Sequence, residues 1–360
     1  MVKRRQQVRR QHVVSKFYLK GFAAEEKRLV RVAVDTGEGA PLSVNDATVI
    51  KDFYSVDLGD GQLDDYFERQ FGLVEEAAAS ALRSVVGSVW PLRGEERDAL
   101  ATWIALQHFR SEGIRDDTTR LRAQFLRMVI GASGKERLRS HIEAVERVRC
   151  SDERLAAEWA DLTQPDGTDL APDAEEHLRD IVTHVGPTAQ RITADQWSLN
   201  VFERKTLVTS DHPVTLVPPK DLPAWSGLGV GNAEGFVLPL SRSRSLVVGG
   251  SPDLPDVRCP GTAKMARLTN TATICNARRF VLRHPDDEAL TNGVDWSLSV
   301  GTDSKVRGND SWVREEGFFT GKDCRAGPVS SASDGEGARG GTLSDLEWPI
   351  PGRQFLWPDP

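Results

Sequence analysis

Cysteine is scarce in this chain, and the scarcity excludes whole classes of protein. Four cysteines occur in 360 residues, Cys150, Cys259, Cys275 and Cys324, and none forms a Cys-x-x-Cys pair. A zinc ribbon or a dithiol redox centre needs such pairs. A disulfide scaffold needs a denser set in a chain this long. No apolar run is long enough to span a bilayer. The basic first residues are not followed by the uninterrupted apolar stretch of a secretory signal. A cytoplasmic protein with no membrane partner is the expectation. Also missing are His-Glu-x-x-His, Gly-x-Ser-x-Gly, a Walker loop and a strand-linked Gly-x-Gly-x-x-Gly. No standard catalytic signature therefore announces a reaction, and no internal repeat announces an array.

Charge comes next. Asp and Glu number 53 against 46 Lys and Arg, a formal net charge of -7. That balance argues against a protein that coats nucleic acid by bulk attraction, although a local basic patch could still act. One such patch is Lys3, Arg4, Arg5, Arg9 and Arg10. It reads either as a solvated tail or as a grip on an anion. Nine tryptophans and 39% apolar residues suffice for a sizeable core.

Periodicity divides the chain. Arg28–Asp35 partly alternates and ends in Thr36-Gly37, which reads as a strand and a turn; a second short strand is expected over Ala47–Val56. From Leu63 to Val86, Tyr66, Phe67, Phe71, Val74, Ala78, Leu82 and Val85 follow a helical period. A second helix runs from Arg93 to about Ser111, with the stripe Leu100, Trp103, Ile104 and Gln107. Further helices are expected over Asp116–Ile130, Gly134–Arg149, Ser151–Leu162 and Pro172–Ile192, the last of which Gly186-Pro187 could end early. The texture then changes to strands. Gln196–Phe202 and Thr206–Thr209 read as two arms of a hairpin, followed by Val214–Val217, Gly235–Leu240 and Ser245–Gly249. Thr262–Ala277 reads as a helix and Arg279–Arg283 as a closing strand, while Ala326–Gly341 is rich in Gly and Ser and is expected to be disordered.

The expected fold is α+β: a helical middle region packed against a mainly antiparallel sheet, with an N-terminal motif docked between them. Its parts are a basic tail over 1–10, one α+β domain over 11–290 (helix-rich over 63–192, strand-rich over 196–283) and an irregular tail over 291–360.

The N-terminal motif is Gln11–Phe22, with His12, then Phe17-Tyr18-Leu19, then Phe22. An N-terminal stretch this apolar must dock into something. It resembles the opening signature of a bacterial family, domain of unknown function 4238 (DUF4238), with Val14 where that family commonly has proline. The resemblance carries no activity across. It does imply positions to watch: Glu68 and Glu75 on one helix, Gln107 and Arg110 on the next, Thr209 to Val214 around Asp211, and Asn276-Ala277.

The residues themselves support the same shortlist. Gln107 continues an apolar stripe, and Arg110 lies one turn further along that side. A buried guanidinium there needs an anionic partner. Glu68 and Glu75, two turns apart on the preceding helix, could supply one. The result is either an interhelical ion pair that fixes register or a polar site open to ligand. His108 neighbours Gln107 but points about 100° away. In Ser210-Asp211-His212-Pro213 the proline holds the residue before it extended, so Asp211 either caps backbone N–H groups or faces a site, with His212 the weaker candidate. Asn276 could cap its helix C-terminus. His12 could be a general base, a metal ligand or a satisfied core histidine.

Two functions follow as expectations. One is a metal-dependent phosphodiester hydrolase, nuclease-like, acting on nucleic acid or another phosphate-bearing ligand. Its catalytic set would be His12, Glu68, Gln107, Arg110 and Asp211, with His12, Glu68 and Asp211 holding Mg²⁺ or Mn²⁺. The other is a non-catalytic binding or regulatory module whose polar residues form a buried structural network.

Overall fold

The computed structural model describes residues 9–57, 63–64, 66–164, 174–223, 226–292, 294 and 325–326. The first residues of the basic patch, most of the C-terminal tail and the Gly/Ser-rich segment apart from Ala326 lie outside that set.

The chain starts with a short strand, β1 (Arg10–His12), one helical turn, α1 (Lys16–Leu19), and a 3₁₀ turn over Lys20–Phe22. Strands β2 (Arg28–Ala33), β3 (Gly39–Ser43), β4 (Val49–Lys51), β5 (Val56–Asp57) and β6 (Leu63–Asp64) follow. The stretch expected as one strand over Ala47–Val56 is therefore two, broken by a turn at which Asp52 has a left-handed φ of 54°. The helical middle comprises α2 (Tyr66–Val86), α3 (Gly94–Phe109), α4 (Glu112–Ser133), α5 (Lys135–Glu146), α6 (Asp152–Thr163) and α7 (Ala174–Ala194). Pro187 does not end α7. The helix continues because Leu178, Ile181, Val185, Ala189 and Ile192 form one buried stripe through the proline, and α7 packs along α3. That burial outweighs the single backbone bond a proline removes.

The sheet half contains β7 (Trp197–Val201), β8 (Thr209–Ser210), β9 (Thr215–Val217), β10 (Gly235–Ser241), β11 (Arg244–Gly249), β12 (Val257–Pro260), α8 (Ala263–Asn276), β13 (Phe280–Arg283) and β14 (Arg325–Ala326). Six strands align as β14-β12-β7-β11-β10-β9 and four as β3-β2-β13-β8; β1 pairs β4 and β5 pairs β6. All these pairings are antiparallel except β12 with β7. The expected hairpin does not form. β7 pairs with β11 and β12, whereas β8 joins β13 in the other sheet. Between them Phe202 N–H bonds to Ser243 O and Leu207 N–H to Arg242 O, so this segment crosses from one sheet to the other.

The N-terminal motif docks between the two halves, as expected. Val14, Tyr18, Leu19 and Phe22 are all 0% exposed. The Tyr18 ring lies 5.2 Å from Trp103 of α3 and 5.3 Å from Phe22. Its hydroxyl donates to Pro239 O on β10 at 2.8 Å and sits 2.6 Å from Thr209 Oγ1 on β8. Gly21 is the one position where the motif has no room for a side chain: a Cβ there would stand 3.2 Å from Ser241 Cβ and 3.3 Å from Leu240 O. One tyrosine thus ties both sheets to the central helix. Tyr18→Phe keeps the ring but leaves the Pro239 carbonyl and the Thr209 hydroxyl, both buried, without this partner and should cost about 1–3 kcal/mol in urea unfolding. An unfolding midpoint equal to wild type would show that the hydroxyl does not hold the motif.

A buried ion-pair network and the candidate functional site

Helix α3 is buried around most of its girth, including Gln107 (0% exposed) and Arg110 at its C-cap (1%). The expected partner is present. Arg110 Nη1 donates to Glu75 Oε1 at 2.7 Å. Its Nη2 donates to Ser15 Oγ at 2.6 Å and to Gln107 Oε1 at 3.0 Å. Ser15 Oγ also accepts from Trp103 Nε1 at 2.8 Å and donates to Glu75 Oε1 at 2.9 Å. Gln107 Nε2 donates to Val13 O at 2.8 Å. Burial works against the Arg110 charge, but Glu75, Tyr54 and Glu68 together raise its pKa and keep it cationic. The Tyr54 hydroxyl donates to Arg110 O at 2.8 Å, and Gln11 Oε1 accepts from Tyr54 N–H at 2.6 Å.

Ser15, Trp103, Tyr54 and Gln11 complete this network and were not on the sequence shortlist. Ser15 stands three residues after His12 inside the signature, which is the signal that could have found it. Trp103 belonged to the apolar stripe, and nothing in periodicity reveals that its indole N–H has a polar duty.

Glu68 borders the same network, on α2 two turns before Glu75. Its Oε2 is buried with no hydrogen-bond partner. Burial, reinforced by Glu75 and opposed by Arg110 and the His12 backbone N–H, pushes its carboxyl up to about 7. His12 is half-buried, and its Nε2 donates to Asn45 O at 3.1 Å. In the neutral ring that leaves Nδ1 as the acceptor. Burial and the nearby Lys16 lower its pKa, so the neutral ring predominates near pH 7.

Asp211 is elsewhere. Its two oxygens accept from Arg278 N–H at 3.0 Å and Arg279 N–H at 2.8 Å. It faces a cleft with Glu112, and burial pushes its carboxyl up to about 7. The expected ligand trio of His12, Glu68 and Asp211 is therefore not assembled. Among the described residues no group of three His, Cys, Asp or Glu stands ready to hold a metal ion. The physical reason is topological: the strand end bearing Asp211 belongs to the β13 sheet, while Glu68 and His12 meet at the α2 face of the signature.

The other candidates secure the main chain or the core. Asn276 is the last residue of α8, and its Nδ2 clamps the Ser-Asp-His-Pro turn by donating to His212 O at 2.6 Å and Val214 O at 3.1 Å. His212 is buried and stacks on His108 at 5.5 Å. Burial lowers His108 to about 4, opposed by a bond with the Val214 backbone. The described part of the basic patch is paired: Arg9 with Asp52 at 2.8 Å and Arg10 with Asp46 at 2.5 Å.

The fold and this network define an α+β protein organised on a buried ion pair beneath an N-terminal motif. The chain belongs to the family described as "Protein of unknown function (DUF4238)", whose model matches residues 10–287. No curated protein and no solved structure matches it. No helix among the described residues is long and apolar enough to cross a membrane.

Two outcomes test these energetics. Glu75→Ala would leave Arg110 buried without its carboxylate and should cost about 3–5 kcal/mol in urea unfolding; a loss below about 1 kcal/mol would show that Ser15 and Gln107 suffice. Glu68 has a raised folded pKa. Its contribution to stability is full below the unfolded value near 4.5 and is lost as pH rises through about 7. Glu68→Gln should remove that loss, so the stability of the variant relative to wild type should rise by about 1–3 kcal/mol between pH 5 and 8. A pH-independent difference would mean that Glu68 is not protonated in the fold.

Proposed function

We propose that this protein hydrolyses a phosphodiester by acid–base chemistry at the edge of the signature, where Glu68 and His12 border the Arg110 network. The observation that carries the reading is the inequality of the two α2 carboxylates. Glu75 is tied to Arg110, whereas Glu68 keeps a buried oxygen with no partner. Two neighbouring acids whose environments differ in this way suit opposite roles in proton transfer. Glu68, its carboxyl pushed up to about 7 and so partly protonated near neutrality, gives a proton to the leaving oxygen. The neutral His12 ring, with Nδ1 open, takes one from the attacking water.

Arg110, expected in the catalytic set, plays a structural part in this reading. At 1% exposure, with both terminal nitrogens engaged, it cannot receive a substrate. Lys16, exposed and close enough to influence both His12 and Glu68, is the cation on the open side. Gln107 is likewise spent on Val13 and Ser15, and Asp211 stands apart. No step is assigned to Mg²⁺ or Mn²⁺, since the expected ligand trio does not meet. The substrate class remains nucleic acid or another phosphodiester, and the setting a bacterial cytoplasm. Cys150 and Cys275 take no part in a disulfide, in keeping with that setting. Cys259 is disulfide-bonded, a bond more at home in an oxidising compartment.

The second reading is the binding or regulatory module. It is favoured by the closure of the Arg110 network on itself, which explains Gln107, Arg110 and Glu75 without any chemistry.

Nuclease and small-phosphodiester assays separate the two. Wild type, His12→Ala and Glu68→Gln should be compared with and without Mg²⁺ or Mn²⁺. The hydrolase reading expects each substitution to lower the rate about 10²-fold or more, with the wild-type rate surviving chelation. Activity left intact by both substitutions would exclude these residues from catalysis. Wild type inactive across broad substrates would leave the binding module.

A further inference from the structure

A cleft of about 440 Å³ lies where β2 and β13 meet the β1–β4 ribbon and the start of α4. It is separate from the Glu68 edge, although Val13 belongs to its wall. Its body is apolar: Val13, Ala33, Val34, Val49, Ile50 and Phe280. Its volume falls within the range of roughly 300–1,000 Å³ typical of small-molecule sites, which combine apolar walls with a few placed polar groups.

The charged groups in its lining are unequally committed. Glu112 receives Arg279 Nη1 on both oxygens at 2.8 Å. Arg278 is paired with Asp117. Asp211 has a backbone N–H on each oxygen, and burial holds its carboxyl up at about 7. Asp35 lies on the exposed turn after β2. Arg31 differs from all of these. It forms no ion pair with a carboxylate among the described residues, yet it is held in place, its guanidinium 5.5 Å over the Phe280 ring. Arg31 and Ala33 share one face by the two-residue period of β2, so the small Ala33 leaves a gap beside the arginine.

We propose that this cleft binds a small organic anion, with its acidic group on Arg31 and an apolar or aromatic body lying over Ala33 against Val49, Ile50 and Phe280. The guanidinium fork suits a carboxylate or a phosphate bidentately, and stacking on Phe280 pre-orients it. The Ser210-Asp211-His212-Pro213 turn then acts in positioning: Asp211 fixes the main chain of Arg278 and Arg279, and so places Phe280 under Arg31.

Anilinonaphthalene sulfonate, an aromatic body with one anionic group, is a direct probe. Fluorescence titration of the full chain should give one saturable site. Arg31→Gln, at an exposed position, should weaken it at least tenfold, and Ala33→Leu should block it by filling the gap, with near-UV circular dichroism confirming that both variants fold. Displacement by phenyl phosphate or by benzoate identifies the preferred acidic group. The proposal fails if wild type does not bind the probe, or if neither competitor displaces it. It fails also if both cleft variants bind like wild type while Leu121→Glu with Phe125→Glu abolishes the signal. That last result would place the dye on the exposed apolar face of α4, where Leu121 and Phe125 are 67% and 59% exposed.

Discussion

A guanidinium with 1% of its surface exposed constrains everything around it. Burying an unpaired charge costs several kcal/mol, so the fold is acceptable only where an anion and further acceptors reach the same point. Glu75 must come from α2, Gln107 from the last turn of α3, and Ser15 from the N-terminal motif. Two helices and a loop are thereby held in one register. Ser15 is the junction: its single hydroxyl accepts from Arg110 and Trp103 and donates to Glu75. Well-packed apolar residues could give equal stability at such a place. What the polar version adds is a penalty on every other register, because sliding α2 by one turn would orphan the arginine.

This logic explains which features could be read from the chain and which could not. The helices were legible because amphipathic periodicity is local, and Gln107 stood out as the polar member of an apolar stripe. Once Arg110 was placed on that side, its need for a carboxylate led to the α2 glutamates, and Glu75 is the partner found. Sheet membership was not legible. Trp197–Val201 and Thr209–Ser210 each look like strands, but alternation does not say which sheet a strand joins, and the connection between them crosses from one to the other. β12 went unseen because Val257–Pro260 is short and mixed in character. Asp211 was recognisable as a turn residue capping N–H groups, but the groups it caps are 67 and 68 residues away. The metal trio failed for the same reason: residue type suggests a ligand, while only topology decides whether three ligands meet.

The positions singled out by resemblance to the family therefore fall into two kinds. Tyr18, Gln107, Arg110, Asp211 and Asn276 spend their hydrogen-bonding capacity inside the fold, much of it on main-chain atoms far away in sequence. Residues of this kind are hard to replace for structural reasons alone. His12 and Glu68 are different. His12 keeps one ring nitrogen free in its neutral form, and Glu68 keeps one oxygen with no partner. Unused polar capacity next to a densely hydrogen-bonded network is what a site for chemistry requires, since the network holds the reacting groups without competing for them.

The same short segment also joins the network to the cleft. Val13 presents its carbonyl to Gln107 and also borders the cleft. Ser15, two residues on, is the hub of the Arg110 network, and His12, one residue before, carries the open ring nitrogen. Because Gln107 and Arg110 are anchored to α3, this segment has little freedom to shift on its own. A ligand pressing on Val13 would act against the Gln107 hydrogen bond, and through it against the placement of Ser15 and His12. Coupling between sites requires a contiguous set of packed and hydrogen-bonded groups with a differential energy between states. Val13 to Gln107 to Arg110 supplies the contiguous part. The buried charge supplies the energy, because any movement that loosens Arg110 from Glu75 is penalised far more steeply than one that merely repacks apolar side chains. With both proposals in place, the N-terminal motif is the shared wall of the two proposed sites rather than an anchor with a histidine attached.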